Sequence, residues 1–459
     1  MLSVWKRQKF TMGKREFRTP AKTKIMRSKN LLVNIIRTAL ASLLMLSAVA
    51  CDKTFDDMPG NKGTTPVRYV TPEKAQVMIL YSAGFNSLCA ALEDDVNDIK
   101  SGYLPLVGSM SKAVLVYSRR LSETGRYTDR TPSYLIRLSV DGWGKVISDT
   151  LKTWPETDEA VSASTMTDVL ETVKGLYPHA SYGMVFSSHG SGWLPSGYYS
   201  TGKITAGTAG LQAVPYIDPN SDGSMPRVKS IGIDNITSRN TYEMEIETFA
   251  QALPMKFDYI IIDACLMGCI EVAYALKDKC DKLVFSQAEV LEDGLCDYTT
   301  LTQRVLRPVV PDLYNLCEDS YRHYKNQDDP IYRSLTISMI DCTRLDRLAE
   351  SCKSLFSKYR NQISLVNAAN VQGYFRSRKH WFYDLTDILR QSGVPEADMA
   401  DYNKAMSDCV LYNAATDTFI NFDIRTHCGL SMYLPADGNS ELDEFYKTLS
   451  WNKASGLVL

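Results

Sequence analysis

Tyr259-Ile260-Ile261-Ile262-Asp263-Ala264-Cys265-Leu266-Met267-Gly268 is the stretch from which the fold can be read. Four apolar residues, three of them β-branched, run straight into Asp263, the pattern of a parallel strand buried on both faces. Asp263, Ala264 and Gly268 break the run. Leu266, Ile270, Val272, Ala273 and Leu276 then recur at roughly helical spacing. Cys265 therefore falls where a strand ends and a helix begins. Sites in open α/β sheets form at the carboxyl ends of strands, and a helix N-terminus favours thiolate over thiol.

A second stretch has the same form. Tyr182-Gly183-Met184-Val185-Phe186-Ser187-Ser188 leads into His189-Gly190-Ser191-Gly192-Trp193, a buried strand ending in a histidine wrapped in glycine and serine. Two strand ends thus carry one cysteine and one histidine. A cysteine nucleophile needs a proton-handling imidazole and backbone N–H groups for the oxyanion. Cys265 is the candidate nucleophile, forming an acyl-enzyme that water later hydrolyses. His189 is the candidate general acid and base, and the Gly190 and Cys265 amides are the natural oxyanion donors, with glycine at 190 permitting close approach of the backbone. The bland alternatives are a buried structural thiol and an ordinary surface or core histidine. His179, His323, His380 and His427 lack the strand-end glycine setting, although His427 precedes Cys428-Gly429. Cys269, one helical turn beyond Cys265, reads as a packed bystander, because a bond between the two would be strained.

Working outward, strands are expected at Gln76–Tyr81, Ser111–Tyr117 and Ser133–Val140, with a turn at Asp141–Gly144. Helices are expected at Leu88–Ile99, at Val161–Tyr177 starting at Thr165–Asp168, and at Thr241–Leu253. Strands alternating with helices predict an α/β fold, a mostly parallel sheet covered on both faces. Further on, Pro311–Lys325, Asp341–Tyr359, Asp384–Arg390 and Met399–Leu411 read as helices and Ser334–Ile340 as a strand. Leu430–Leu434 reads as a strand closing the sheet. Residues 311–459 are expected to form a C-terminal α/β subdomain packed on a catalytic domain of residues 75–310. Leu194–Lys229 is rich in Gly, Ser, Thr, Tyr and Pro without sustained period, and a loop of that length is functional or mobile.

Strand-Ser-His-Gly-x-Gly-Trp followed by strand-Asp-Ala-Cys-Leu-Met-Gly resembles the clostripain family of cysteine peptidases, relatives of the caspase, legumain and gingipain group. The resemblance runs from about Ala75 to the C-terminus. Ser286-Gln287-Ala288-Glu289 with Asp293-Gly294, Asp384-Leu385, and Gly429-Leu430-Ser431-Met432-Tyr433-Leu434-Pro435 resemble later family segments. It implies a caspase-like fold and an endopeptidase with a Cys265/His189 dyad. It also implies acidic residues that select Arg or Lys before the cut. Asp263 fits that role by motif and Asp293 is a second candidate; the alternative for both is a capping or turn aspartate. Cys296 stands where a proline or aromatic residue is commoner in the family. Such enzymes are often made as one chain and cut themselves after a basic residue in the region of the long loop. By that resemblance Lys203 is the expected cut, with an uncut surface insertion as the alternative. Some members depend on calcium, but no calcium-binding motif is evident here. No cofactor or metal is expected.

The amino-terminal end carries a different message. Residues 1–37 hold eleven Lys or Arg and a single acid, Glu16, before the small and apolar run Thr38–Ala50. That run is too short for a comfortable membrane span and fits a signal peptide. It ends Ala48-Val49-Ala50-Cys51, which resembles a bacterial lipoprotein cleavage box, with Cys51 taking lipid; a plain secretory signal cut after Ala50 is the alternative. Starting at Met26 instead of Met1 gives a signal of ordinary length. Residues 51–74 read as an exposed tether. The expectation is an extracytoplasmic, membrane-anchored monomer acting on protein or peptide. A net charge of -2 gives no argument for nucleic acid as a partner. Eleven cysteines with irregular spacing and no Cys-x-x-Cys pair give neither a disulfide framework nor a zinc site. Two other functions use the same residues: a surface-binding lipoprotein with weak or no turnover, and a thiol-dependent acyl hydrolase or transferase acting on non-peptide substrates.

Overall fold

The computed structural model describes residues 74–83, 88–125, 129–196, 198, 244–376 and 381–459. Cys51, Met26, the signal peptide, most of the tether, and Lys203 with most of the 194–229 loop lie outside the described residues. Pro72–Leu459 form one compact unit.

Its centre is a nine-stranded sheet in the order β10-β8-β7-β6-β5-β1-β2-β3-β4. The strands are β1 (Gln76–Ser82), β2 (Lys112–Arg119), β3 (Ser133–Val140), β4 (Val146–Trp154), β5 (Ser181–Ser187), β6 (Phe257–Asp263), β7 (Cys280–Phe285), β8 (Thr336–Asp341) and β10 (Val410–Ala415). The five central strands, β2, β1, β5, β6 and β7, run parallel. An antiparallel pair flanks them on each side: β3 and β4 beyond β2, β8 and β10 beyond β7. Burial follows from position. Ile260, Ile261 and Ile262 in the middle of the sheet are wholly buried, as the unbroken apolar run requires.

Helices cover the sheet: α1 (Cys89–Ser101), α2 (Ala163–Leu176), α3 (Ile246–Ala252), α4 (Ile270–Ala275), α5 (Tyr298–Leu306), α6 (Leu313–Lys325) and α7 (Leu345–Leu365). Helix α2 begins earlier than its threonine-rich start suggested. Ser162 is the N-cap, its hydroxyl accepting from Thr165 N–H at 3.2 Å. Two strands carried too weak a signal to be read in advance. Strand β4 is a half-exposed edge, and β10 follows directly from helix α9 (Ala400–Cys409) with no turn residue between them. Leu430–Leu434 does not close the main sheet. Ser431–Met432 (β13) pairs instead with Tyr383–Asp384 (β9) in a separate two-stranded ribbon, and β10 takes the edge.

Candidate active site

Parallel strands β5 and β6 are in register, Ser187 opposite Asp263. His189 and Cys265 each lie two residues beyond that pair, at the same end of the sheet. The loops beyond the pair stay bound to one another. Ser188 N–H donates to the Asp263 carbonyl at 3.4 Å, and Ala83 N–H to the Ser187 carbonyl at 2.8 Å. At Gly190 a β-carbon would stand 2.5 Å from the Cys265 carbonyl oxygen and 3.0 Å from the Ala264 Cβ. Only glycine lets the histidine loop lie against the cysteine turn.

The cysteine turn is itself unusual. Leu266 has φ +63°, a conformation that costs a branched residue about 1–3 kcal/mol unless its surroundings enforce it. Here they do: Leu266 N–H donates to the Ala288 carbonyl at 2.9 Å and Gly268 N–H to the Ser286 carbonyl at 2.6 Å. The turn delays helix α4 to Ile270. The expected helix N-terminus is therefore not at Cys265, and its dipole does not reach the thiol. Cys265 is wholly buried. Its Sγ accepts from Val290 N–H at 3.1 Å and faces the Val290 carbonyl at 3.8 Å. Burial pushes the thiol well above its ordinary range, with the Glu289 carboxylate adding to the effect and the Arg376 guanidinium opposing it.

Asp263 is wholly buried. One oxygen accepts from Leu295 N–H at 2.8 Å; the other accepts from the Tyr298 hydroxyl at 2.5 Å and the Ser187 hydroxyl at 3.1 Å. It ties two strand ends to the segment after β7. Asp293 is exposed. It lines an open cleft of about 490 Å³ between α1, residues 292–298 and α6, together with Asp94, Asp95, Asp98, Glu292 and Asp297. Tyr298 also lines the cleft, so the buried Asp263 lies one hydroxyl away from it. Burial raises the Asp98 carboxyl, and its neighbours Asp297 and Asp94 raise it further, as repulsion among crowded carboxylates requires.

The clostripain family profile matches residues 80–208 and 217–456. The chain belongs to the clostripain family of cysteine peptidases. An inactive zymogen protease from Parabacteroides distasonis is 25% identical and superposes with a TM-score of 0.66, covering 84% of this chain and 99% of that one. A secreted cysteine protease from Bacteroides thetaiotaomicron, at 23% identity and TM-score 0.65, shares the fold over 83% of this chain and 99% of its own. A complex of a secreted cysteine protease from the same organism with an irreversible peptide inhibitor gives a TM-score of 0.64 at 23% identity over the same shares. No individually curated protein matches.

Around this clostripain-type site lie residues to which the sequence gave no role. Glu289 and Arg376 form an ion pair whose side chains are both fully buried, through two contacts of 2.6 and 2.9 Å. Glu289 directly precedes Val290, the hydrogen-bond partner of Cys265. Gln287 spans the back of the cysteine turn. Its amide donates to the carbonyls of Gly268 and Gly429 and to the Ser338 hydroxyl, and its oxygen lies 2.6 Å from His427 Nε2. Burial pushes the His427 imidazole down to about 3, which keeps it neutral as a brace of this network. The Ser-Gln-Ala-Glu segment was visible in the sequence. Its partners, roughly ninety and one hundred and forty residues away, carried no local signal. Trp193 anchors the histidine loop, packing its ring on Tyr433 at 4.8 Å and Tyr446 at 5.1 Å.

Proposed function

We propose that the chain is a cysteine endopeptidase in which Cys265 attacks the peptide carbonyl and His189 protonates the leaving amine and then activates water. The observation that carries this reading is the register of β5 and β6, which sets His189 and Cys265 at matching places on neighbouring strand ends. The Gly190 and Cys265 amides are assigned to the developing oxyanion. Cleavage after Arg or Lys is assigned to Asp293 and Asp263, by motif; Asp293 lines the acidic cleft and Asp263 lies one Tyr298 hydroxyl away from it, while Cys265 and His189 are not among the residues that line it. A basic side chain reaching Asp263 itself must displace the Tyr298 or Ser187 hydroxyl.

A wholly buried Cys265, whose thiol burial pushes up, is a poor nucleophile and out of reach of substrate. We therefore assign this state to the unprocessed chain, which cuts itself at Lys203 before turning over other substrates. The sequence around Cys51 supports a lipid-anchored, extracytoplasmic enzyme, monomeric and acting on protein or peptide.

Fluorogenic peptides with Arg, Lys, Ala, Leu or Asp before the scissile bond test this, with Cys265→Ala beside the parent chain and both followed on a gel. Hydrolysis that depends on Cys265 and is confined to basic residues is expected, with a fragment boundary at Lys203. No turnover by folded protein whose 194–229 loop has been cut by an added protease would overturn the peptidase in favour of a binding lipoprotein. Hydrolysis of esters but not peptides would favour the acyl hydrolase.

A further inference from the structure

Half of the large apolar side chains that stand exposed among the described residues gather at one end of the sheet. Leu106 is 62% exposed, Val107 55%, Met110 88%, Trp143 95%, Val309 61% and Val310 72%. They come from three separate segments that converge on the start of β1 and β2. Gln76 N–H donates to the Ser111 carbonyl, closing the 102–111 loop onto β1. The Gln76 amide donates to the carbonyls of Pro308 and Val309 at 3.1 and 3.0 Å. Val107 N–H donates to the Val140 carbonyl at 2.8 Å, which brings the loop beside the β3–β4 hairpin with Trp143 at its tip. An apolar surface assembled from three segments is not the scatter of single exposed residues that any protein shows.

The charge around it is basic. Lys74, Lys145 and Arg307 are exposed, and Lys112 Nζ lies 3.2 Å from the Arg307 carbonyl. Asp141 turns its carboxylate back onto the Trp143 and Lys145 amides, both at 2.9 Å, and Asp149 is paired with Arg137 at 3.0 Å. This is also the end at which the chain enters the domain, at Lys74, from the segment that carries Cys51. The strands are about 20 Å long, and Cys265 and His189 stand past their opposite ends.

We propose that this face docks on an anionic lipid surface, with Trp143, Met110 and Leu106 at the level of the headgroups and Lys74, Lys112, Lys145 and Arg307 against their phosphates. Tryptophan favours that interface, and basic residues beside an apolar patch add attraction to anionic lipid. The proposal rests on the reading of Cys51 as a lipid anchor. The tether of residues 51–74, at most about 80 Å when extended, limits distance but not orientation. The face supplies the orientation and turns the catalytic end outward.

The test uses the chain from Asp52 to Leu459, which carries no lipid and contains the whole compact unit Pro72–Leu459. It is sedimented with vesicles of phosphatidylethanolamine and phosphatidylglycerol, and with vesicles of phosphatidylcholine alone. Preferential binding to the anionic vesicles is expected. It should fall about tenfold or more in Trp143→Ser/Met110→Ser and in Lys145→Glu/Arg307→Glu, with hydrolysis of soluble peptides unchanged. No binding by the parent chain, or equal binding by the variants, overturns the proposal. So does a concentration-dependent doubling of mass that the variants abolish, which would give the face to a second copy. Mass analysis of Cys51 in the full chain from envelopes reads the anchor separately. A Cys51 without lipid, alongside vesicle binding, removes the anchor and leaves the face.

Discussion

Replacing Arg376 by Met, with Glu289 left in place, probes what surrounds Cys265. Both side chains are wholly enclosed and doubly bonded to each other. Taking one partner from such a pair leaves a buried charge with nothing opposite it, a loss of about 3–5 kcal/mol. Against a typical domain stability of about 5–15 kcal/mol, that is a large fraction. Replacing both, Arg376→Met with Glu289→Leu, removes the charge along with its partner and is close to neutral on the same reasoning. The nucleophile feels the change as well. Arg376 lowers the Cys265 thiol while Glu289 raises it, so Arg376→Met leaves the carboxylate unopposed and moves the thiol still higher. Urea unfolding of the parent, both single variants and the double variant gives the coupling energy directly. The rate at which iodoacetamide labels the Cys265 peptide, followed against pH, gives the thiol. Expected are two unstable single variants, a double variant near the parent, and a labelling profile displaced to higher pH in Arg376→Met. A double variant no more stable than the worse single, or a coupling below about 0.5 kcal/mol, refutes the reasoning.

Gly190→Ala should fold and lose peptide hydrolysis by on the order of a hundredfold, because its β-carbon meets the Cys265 carbonyl oxygen and displaces the histidine loop by a fraction of an ångström or more; kcat/KM and a thermal melt together check this. Burial raises the Glu271 carboxyl to about 7, above an unfolded value of about 4.3. The folded state therefore holds the proton more tightly. The stabilisation is fully present below about pH 4 and is lost as pH rises through about 7, a difference of about 4 kcal/mol. Urea midpoints between pH 5 and 8 should fall in the parent and lie flat in Glu271→Gln. Tyr298→Phe removes one of the hydroxyls that hold Asp263 and should cost about 1–3 kcal/mol in urea unfolding.

The two strands that carry chemistry were legible because central strands of a parallel sheet are buried on both faces, so their apolar runs are unbroken. Tyr259–Ile262 and Met184–Phe186 announce themselves. Strand β4 did not, because an edge strand faces solvent on one side, and Lys152, Asp149 and Thr153 dilute its pattern. The six-residue helix α4 was read a turn too early. The apolar spacing from Leu266 onward is helical, but Leu266 adopts a positive φ to follow the close-packed segment 286–290. A tertiary contact there overrides local propensity. The strand ends that carry His189 and Cys265 could be read from two short motifs. The Glu289–Arg376 pair and the His427–Gln287 brace join residues far apart in the chain, and no periodicity reports a contact of that kind.

The loops that carry His189 and Cys265 are held from the same direction. The histidine loop is fixed through Trp193, whose ring rests on Tyr433 and Tyr446. The cysteine turn is continued by α4, where Glu271 accepts from Tyr433 N–H at 2.9 Å and from the Tyr446 hydroxyl at 2.6 Å. One pair of tyrosines from the last thirty residues therefore contacts the element that follows Cys265 and the loop that follows His189. Behind the turn, Gln287 reaches Ser338 and Gly429, again from beyond residue 311. Strands β8 and β10 extend the sheet from the same region. Residues 311–459 thus supply strands to the central sheet and side chains that brace the loops carrying His189 and Cys265. Replacing Tyr446 should disturb the loops that carry His189 and Cys265 together.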